Sequence, residues 1–292
     1  AASDVYKRQT TLLAIIDEGS FESAALELGI SPSAVSQRIK ALESNVGRVV
    51  VRRTTPATAT EAGEVLVQAA RRMALVQAEA AAELTDRLDR VPLTVAVNAD
   101  TLATWFKPVL RDAAGWPGTA LRLRLEEEER TRALLRRGDV MAAVTRHAAP
   151  VSGCEVVELG TVRYIAAASP ELRLNYTTHE GLDWAHMPAL RFGPNDLLQD
   201  EDLGGRLAPG ERRARPVSYI PSSEGFVDAA VAGLGWALFP EKQIQPHLKS
   251  GELVRLDDLV TEVHLYWQHW RLQSTLLDRL TRSVVRAARG TE

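Results

Sequence analysis

Between Glu61 and about Asp89 the chain runs without proline, and without glycine beyond Gly63, through residues that favour helix. Ala62, Leu66, Ala69, Met73, Val76 and Ala80 recur at alternating steps of four and three, with Leu84 and Leu88 beyond them. At 1.5 Å per residue this is a rod about 40 Å long. Such a rod cannot lie inside one compact lobe. It divides the sequence into a part before it and a part after it, and its apolar seam needs a cover. The spacing is that of a coiled coil, so the expectation is a homo-oligomer, a dimer or a tetramer. The alternative is that the helix packs on its own domain. The resulting division is 1–60, 61–90 and 91–292.

Three short helical patterns precede the rod. Leu12, Leu13, Ile15 and Ile16 form the stripe of the first, closed by Gly19. Ser20 caps a second that turns Phe21, Ala24, Ala25 and Leu28 inward and ends at Gly29. Ser31 followed by Pro32 opens the third. Helix, short glycine turn, helix is the helix-turn-helix layout. On the third helix Val35, Ile39 and Leu42 share an inward face, while Ser33, Ser36, Gln37 and Lys40 lie on another, flanked by Arg38 and opened by Ser31. Hydroxyl, amide and cationic groups are the types that reach base edges and phosphates, although a polar helix face is often only solvated. After Gly47, the run Val49-Val50-Val51, then Arg52-Arg53 and a proline-containing return to Thr60, reads as a β-wing. Its arginines are placed for phosphate or minor-groove contact with double-stranded DNA. Residues 1–9 lack apolar periodicity and are set aside as non-native or disordered.

Charge supports this reading through its distribution rather than its sum. The net charge is −3, yet from Ser31 to Thr60 the chain carries Arg38, Lys40, Arg48, Arg52 and Arg53 against Glu43 alone. From Thr10 to Ile30 every charge is negative. A basic face attracts phosphate whatever the total.

Past Pro92 strands and helices alternate. Leu93 to Asn98, Leu121 to Leu125 and Val140 to Val144 read as strands, with helices near Thr101 to Ala114 and through Arg137. Arg163 to Ala168, Trp236 to Phe239 and Val263 to Trp267 read as further strands, and Glu224 to Ala232 as a helix. This is an α/β pattern with crossovers. A chain that leaves one lobe and returns late predicts two lobes, about 91–162 with 264–292 and about 163–263, around a cleft. Ligands in such folds bind beyond the carboxyl ends of strands.

Several functions are excluded. Six histidines and the lone Cys154 show no metal spacing, there is no nucleophile elbow or phosphate loop, and Gly233-x-Gly235 lacks a third glycine. An enzyme is not expected. A single cysteine, no signal-peptide pattern and no apolar run long enough for a bilayer point to the cytoplasm, with no membrane partner.

The residues Gly19-Ser20-Phe21-Glu22-Ser23-Ala24-Ala25, Ser31 through Glu43, Gly47 and Thr60-Glu61-Ala62-Gly63 resemble the DNA-binding module of LysR-type regulators. Val49-Val50 departs from the usual leucine-phenylalanine pair of that module. The later part resembles the same family's two-lobed effector domain, which shares its architecture with periplasmic binding proteins. Asn98-Ala99-Asp100-Thr101-Leu102-Ala103-Thr104-Trp105, together with Glu126 to Thr131 and Ser222-Ser223-Glu224-Gly225-Phe226, is similar to the LysG/ArgP subgroup. That resemblance implies an activator of a basic amino-acid exporter gene, with L-lysine or L-arginine as effector, no cofactor and contact with RNA polymerase; the alternatives are a regulator of this build with a different small-molecule effector, or a small-molecule binding protein without DNA binding. A cationic amino acid needs acceptors for its ammonium or guanidinium groups and donors for its carboxylate. Asp100, Glu126, Glu128, Asp196 and Glu224 are candidate acceptors. Thr101, Ser222 and Ser223 at helix starts are candidate carboxylate partners, and Asn98 and Thr145 complete the set.

Overall fold

The computed structural model describes residues 2–85, 91–116, 119–126, 128–194, 196, 198, 203, 206–207 and 215–290. In chain order the first unit holds α1 (Ala2–Glu18), α2 (Phe21–Glu27), α3 (Pro32–Val46) and the strands β1 (Val51–Arg52) and β2 (Thr58–Ala59). The rod is α4 (Glu61–Thr85). One lobe follows with β3 (Val91–Val97), α5 (Ala99–Ala103), α6 (Lys107–Ala114), β4 (Thr119–Leu125), α7 (Glu128–Arg137) and β5 (Ala142–Thr145). The chain crosses on β6 (Cys154–Ala168) into α8 (Pro170–Asn175), β7 (Thr177–Thr178), β8 (Gly181–Leu182), β9 (Ala189–Arg191) and β10 (Val217–Tyr219). It continues through α9 (Ser223–Val231), β11 (Ala237–Pro240), α10 (Glu241–Ser250) and β12 (Val254–Arg255). Finally β13 (Thr261–Trp270) carries it back to α11 (Thr275–Arg289). Leu88 lies outside the described residues, as do the side chains of Leu84 and Glu128.

The first unit is a winged helix-turn-helix. Leu12, Ile15, Ala24, Val35, Ile39 and Val50 are fully buried and make its core. Ser20 and Ser31 cap α2 and α3, accepting from the amides of Ser23 at 2.9 Å and Ala34 at 3.2 Å. Gly47 ends α3 at φ 70°, a left-handed cap that glycine adopts without strain. Helix α1 extends back through the residues set aside on sequence grounds. Apolar periodicity marks only the part of a helix that packs, and the first turns, where Val5 and Tyr6 are exposed, lie outside the core.

The second part is a two-lobed α/β domain on one shared sheet. The strand order is β11-β6-β13-β5-β3-β4, with β12 also on β6. Strand β3 runs parallel to β4 and β5, whereas β13 runs antiparallel to β5 and β6. The long pair β6 and β13 is therefore the crossing between lobes. The helix expected from Thr101 to Ala114 is two helices, α5 and α6. Pro108 lacks the N–H that would continue one helix onto the Thr104 carbonyl and fits only the first turn of a helix, so the chain breaks at Thr104 to Phe106 and restarts.

Helix α4 joins the two parts and spends one face on its own chain. Val67 packs into the helix-turn-helix core and Leu75 into the core of the two-lobed domain. Gln68 donates to the Leu135 carbonyl at 3.2 Å, and Arg72 donates to the Gly153 carbonyl at 2.9 Å while lying over Trp270. Glu79 accepts from Ser274 Oγ at 2.6 Å and from the Leu276 amide at 3.0 Å, capping α11. The other face is different. Val65, Met73 and Val76 are 66%, 43% and 42% exposed, so part of the expected seam is uncovered in the single chain.

Candidate functional site

Two surfaces carry chemistry. On α3 the inward residues Val35 and Ile39 lock the helix to α1 and α2, which leaves Ser33, Gln37 and Lys40 exposed on the outer face. Ser36 and Arg38 are half-buried at its margins, Arg38 reaching Thr11 Oγ1 at 3.4 Å. Ser31 Oγ, besides capping, lies 2.9 Å from Ser33 Oγ. A rigid helix presenting amide, hydroxyl and ammonium groups outward has the form of a major-groove reader. In the wing Val51 is buried and Arg52 and Arg53 are exposed. Arg53 lies over the Phe21 ring at 4.5 Å. Arg52 borders a cavity with Asp17, Arg71, Arg124 and Asp139, at the junction of wing, rod and two-lobed domain. The Val49-Val50 departure resolves simply: Val50 fills the core and Val49 is exposed.

The second surface is the cleft between the lobes, where α5 from one side packs against α9 from the other. Asn98 is the cap of α5, accepting from the Thr101 amide at 2.8 Å, so that amide is already engaged; the Thr101 side chain is buried. Asp100 occupies the first turn of α5 and accepts from Tyr164 Oη at 2.9 Å. Burial pushes its carboxyl up to about 6, the Tyr164 hydrogen bond pulls it down, and the negative charge of Asp196 pushes it up again. Asp196 comes from the opposite lobe and is itself held by the amides of Phe192 at 3.0 Å and Leu198 at 3.3 Å. Thr145, at the end of β5, is fully buried and accepts from the His147 amide. Ser222 caps α9, accepting from the Gly225 amide at 3.2 Å, and Ser223 Oγ accepts from Gln243 at 3.0 Å. Glu224 is exposed, and Glu126 lies 3.9 Å from Arg130 on its own edge of the lobe. The structure thus brings Asp100 and Asp196 into one electrostatic field. It gives Asn98 and Ser222 to capping and leaves Glu224 at the surface.

A separate cavity of about 630 Å³ opens beside the crossing strands, between α6 and α10. Thr104, Lys107, Thr161 and Gln243 line it, and Arg163 spans it to Glu241 at 3.3 Å. None of the sequence-predicted ligand residues is in its lining.

Residues 86–289 match the LysR substrate binding domain, and residues 7–64 match the bacterial regulatory helix-turn-helix of the lysR family. The chain belongs to the LysR family of transcriptional regulators. Among LysR-family relatives, the lysine export transcriptional regulatory protein LysG of Corynebacterium efficiens is 61% identical over 280 residues, 96% of each chain. Full-length LysG from Corynebacterium glutamicum with bound effector Arg has a TM-score of 0.84 at 58% identity, over 98% of each chain. ArgP from Mycobacterium tuberculosis has a TM-score of 0.85 at 41% identity, over 97% of each chain. As a LysR-family regulator this chain couples a DNA-binding helix-turn-helix to an effector-binding domain, and it is not an enzyme.

Sequence reasoning missed two features of this LysR architecture. Tyr164 was read only as part of a strand, although a tyrosine with a buried ring commonly seeks a partner for its hydroxyl. Arg71 lies on the rod outside the apolar series that marks it. It bridges Asp17 of α1 and Asp139 of the effector domain, the latter at 3.0 Å, and also donates to the Gly138 carbonyl. Neither contact leaves a local pattern. Among the described residues no helix is long and apolar enough to cross a membrane.

Proposed function

We propose that this regulator activates a gene for basic amino-acid export when L-lysine or L-arginine binds between its lobes. The observation that carries the reading is that Asp100 and Asp196, one from each lobe, repel each other where burial makes bare negative charge costly. A single cationic group between them would relieve their repulsion and draw the lobes together. The N-terminal amides of α9, with Ser222 at its head, suit the ligand carboxylate. The names of the Corynebacterium relatives, one solved with Arg, support the same ligand class.

On DNA, α3 would read base edges through Gln37 with Ser33, Ser36 and Lys40, while Arg38, Arg52 and Arg53 contact phosphate. Two copies joined along α4 would present two recognition helices to paired half-sites. The protein then acts in the cytoplasm, as a dimer or tetramer that contacts RNA polymerase. Calorimetric titration of the purified protein with lysine, arginine and histidine tests the effector. Heat from lysine or arginine in the micromolar to millimolar range is expected, and silence with all three removes the assignment.

A further inference from the structure

The cleft contains an acceptor, Asp100, that receives a hydrogen bond at 2.9 Å from a side chain 64 positions away in sequence. Tyr164 sits on β6, where its backbone registers with Pro240 of β11 on one side and Thr261 of β13 on the other. It is therefore held in the middle of three strands at the crossing between lobes, with only 4% of its surface exposed. A donor fixed in this way cannot follow a moving partner. Asp100, in contrast, is in the first turn of a five-residue helix that ends at the break before Pro108. The rigid member of the pair is the tyrosine.

We propose that Tyr164 is the positioning residue of the effector site: its hydroxyl anchors one oxygen of Asp100 and, by donating to it, favours the carboxylate over the acid. The inference rests on the effector reading above and assigns a role within that site. Its physical basis is a balance. Burial and the neighbouring Asp196 both favour the protonated acid, and the phenol hydroxyl opposes them by donating to the anion. The other charged groups on elements around α5 do not supply that opposition. Glu224 and Asp228 of α9 are exposed and negative. Arg163 of β6 is engaged by Glu241 at 3.3 Å, and Lys107 at the start of α6 lines the separate cavity. With the hydroxyl gone, Asp100 would lose this fixed donor and would hold its proton to higher pH.

The test is Tyr164→Phe, which keeps the ring and its packing, compared with the wild-type full chain. L-Arginine is the probe because its guanidinium stays charged, and affinity is measured calorimetrically from pH 5.5 to 8.5. Wild-type affinity should be level above neutrality and fall about tenfold per unit once Asp100 protonates. In Tyr164→Phe the onset of that fall should move up by about one unit or more, the worth of one hydrogen bond to a buried charge. With a one-unit rise the variant loses about threefold in affinity near pH 6.5, close to tenfold at pH 5.5 and almost nothing at pH 8.5. A second readout needs no ligand: the carboxyl carbon of Asp100, followed by NMR in labelled protein, should titrate near 6 in the wild type and higher in the variant. An equal loss at every pH, or an unshifted carboxyl titration, overturns the positioning role and leaves the effector reading intact. If the wild type itself binds neither arginine nor lysine, the effector reading fails, and the inference fails with it.

Discussion

Ionised Asp100 works against the fold that holds it. Its carboxyl is raised from 3.8 to about 6, so the folded state prefers the protonated form. The stability this gives is fully present below pH 3.8 and is lost as the pH rises through about 6. Asp100→Asn, which carries no charge, should therefore be more stable than the wild type at pH 8, by at most about 3 kcal/mol, and differ little near pH 3.5. The same change should abolish the binding of a cationic effector. Thermal denaturation at the two pH values checks the first half, and a lower melting point at pH 8 would show that the charge is compensated in the fold. Gln37 presents the opposite case, since it is exposed on α3 and its removal costs the fold little. Gln37→Ala should weaken specific operator binding by about 1–3 kcal/mol and leave binding to random DNA unchanged. Competition mobility shifts separate the two, and an equal loss on random sequence would mean that Gln37 meets backbone rather than bases.

Among the elements, the joint between wing and rod is the tightest. Thr60 Oγ1 donates to the Val49 carbonyl at 2.7 Å and accepts from the Gly63 amide at 3.1 Å, while the Thr60 amide donates to the Val50 carbonyl at 3.0 Å. Gly63 then passes so close to the wing that an added Cβ would lie 1.9 Å from the Val50 oxygen. In an exposed helix alanine is better than glycine by about 1 kcal/mol. Here the sign reverses, and Gly63→Ala should destabilise the helix-turn-helix by about 3 kcal/mol, the upper end of overpacking costs. Urea denaturation of the full chain measures it; a stabilised variant would mean that wing and rod are not docked in solution. Elements like α3 were legible because cap, proline and apolar spacing agree at Ser31, Pro32, Val35 and Ile39. The second stripe of α4 was not legible. Val67, Ala70 and Leu75 are buried against the chain itself, but they are interleaved with the more regular series ending in Met73, Val76 and Ala80. One periodicity hid another. In the cleft the sequence offered Asp100, within the segment Asn98 to Trp105, and Asp196 as candidate acceptors. Their hydrogen bonds were not visible, because Tyr164 and the amides of Phe192 and Leu198 arrive through folding.

At the scale of the whole molecule, α4 is the member that both ends must share. Its inner stripe contributes to two cores, and Arg71 ties it to Asp17 on the DNA-binding side and Asp139 on the effector side. A change at the effector cleft therefore meets a rod already fastened to the DNA-binding unit. Among the described residues the outer stripe has no such partner, and a second copy would cover it. The exposed residues offer a clean separation, because Met73 and Val76 belong to neither core and can be altered without opening one. Met73→Glu combined with Val76→Glu should leave both folded units intact by circular dichroism and shift the sedimenting species to the monomer. Loss of the second recognition helix should then reduce operator affinity by about 100-fold or more, because linked binding to paired half-sites multiplies rather than adds. If the charges dissociate the protein and operator affinity falls with it, the rod is what sets half-site spacing. If the variant stays dimeric, the contact between copies lies elsewhere and the outer face of α4 is only solvent-exposed surface. If it dissociates yet binds the operator unchanged, one helix-turn-helix suffices, and the rod serves to connect the two units of a single chain.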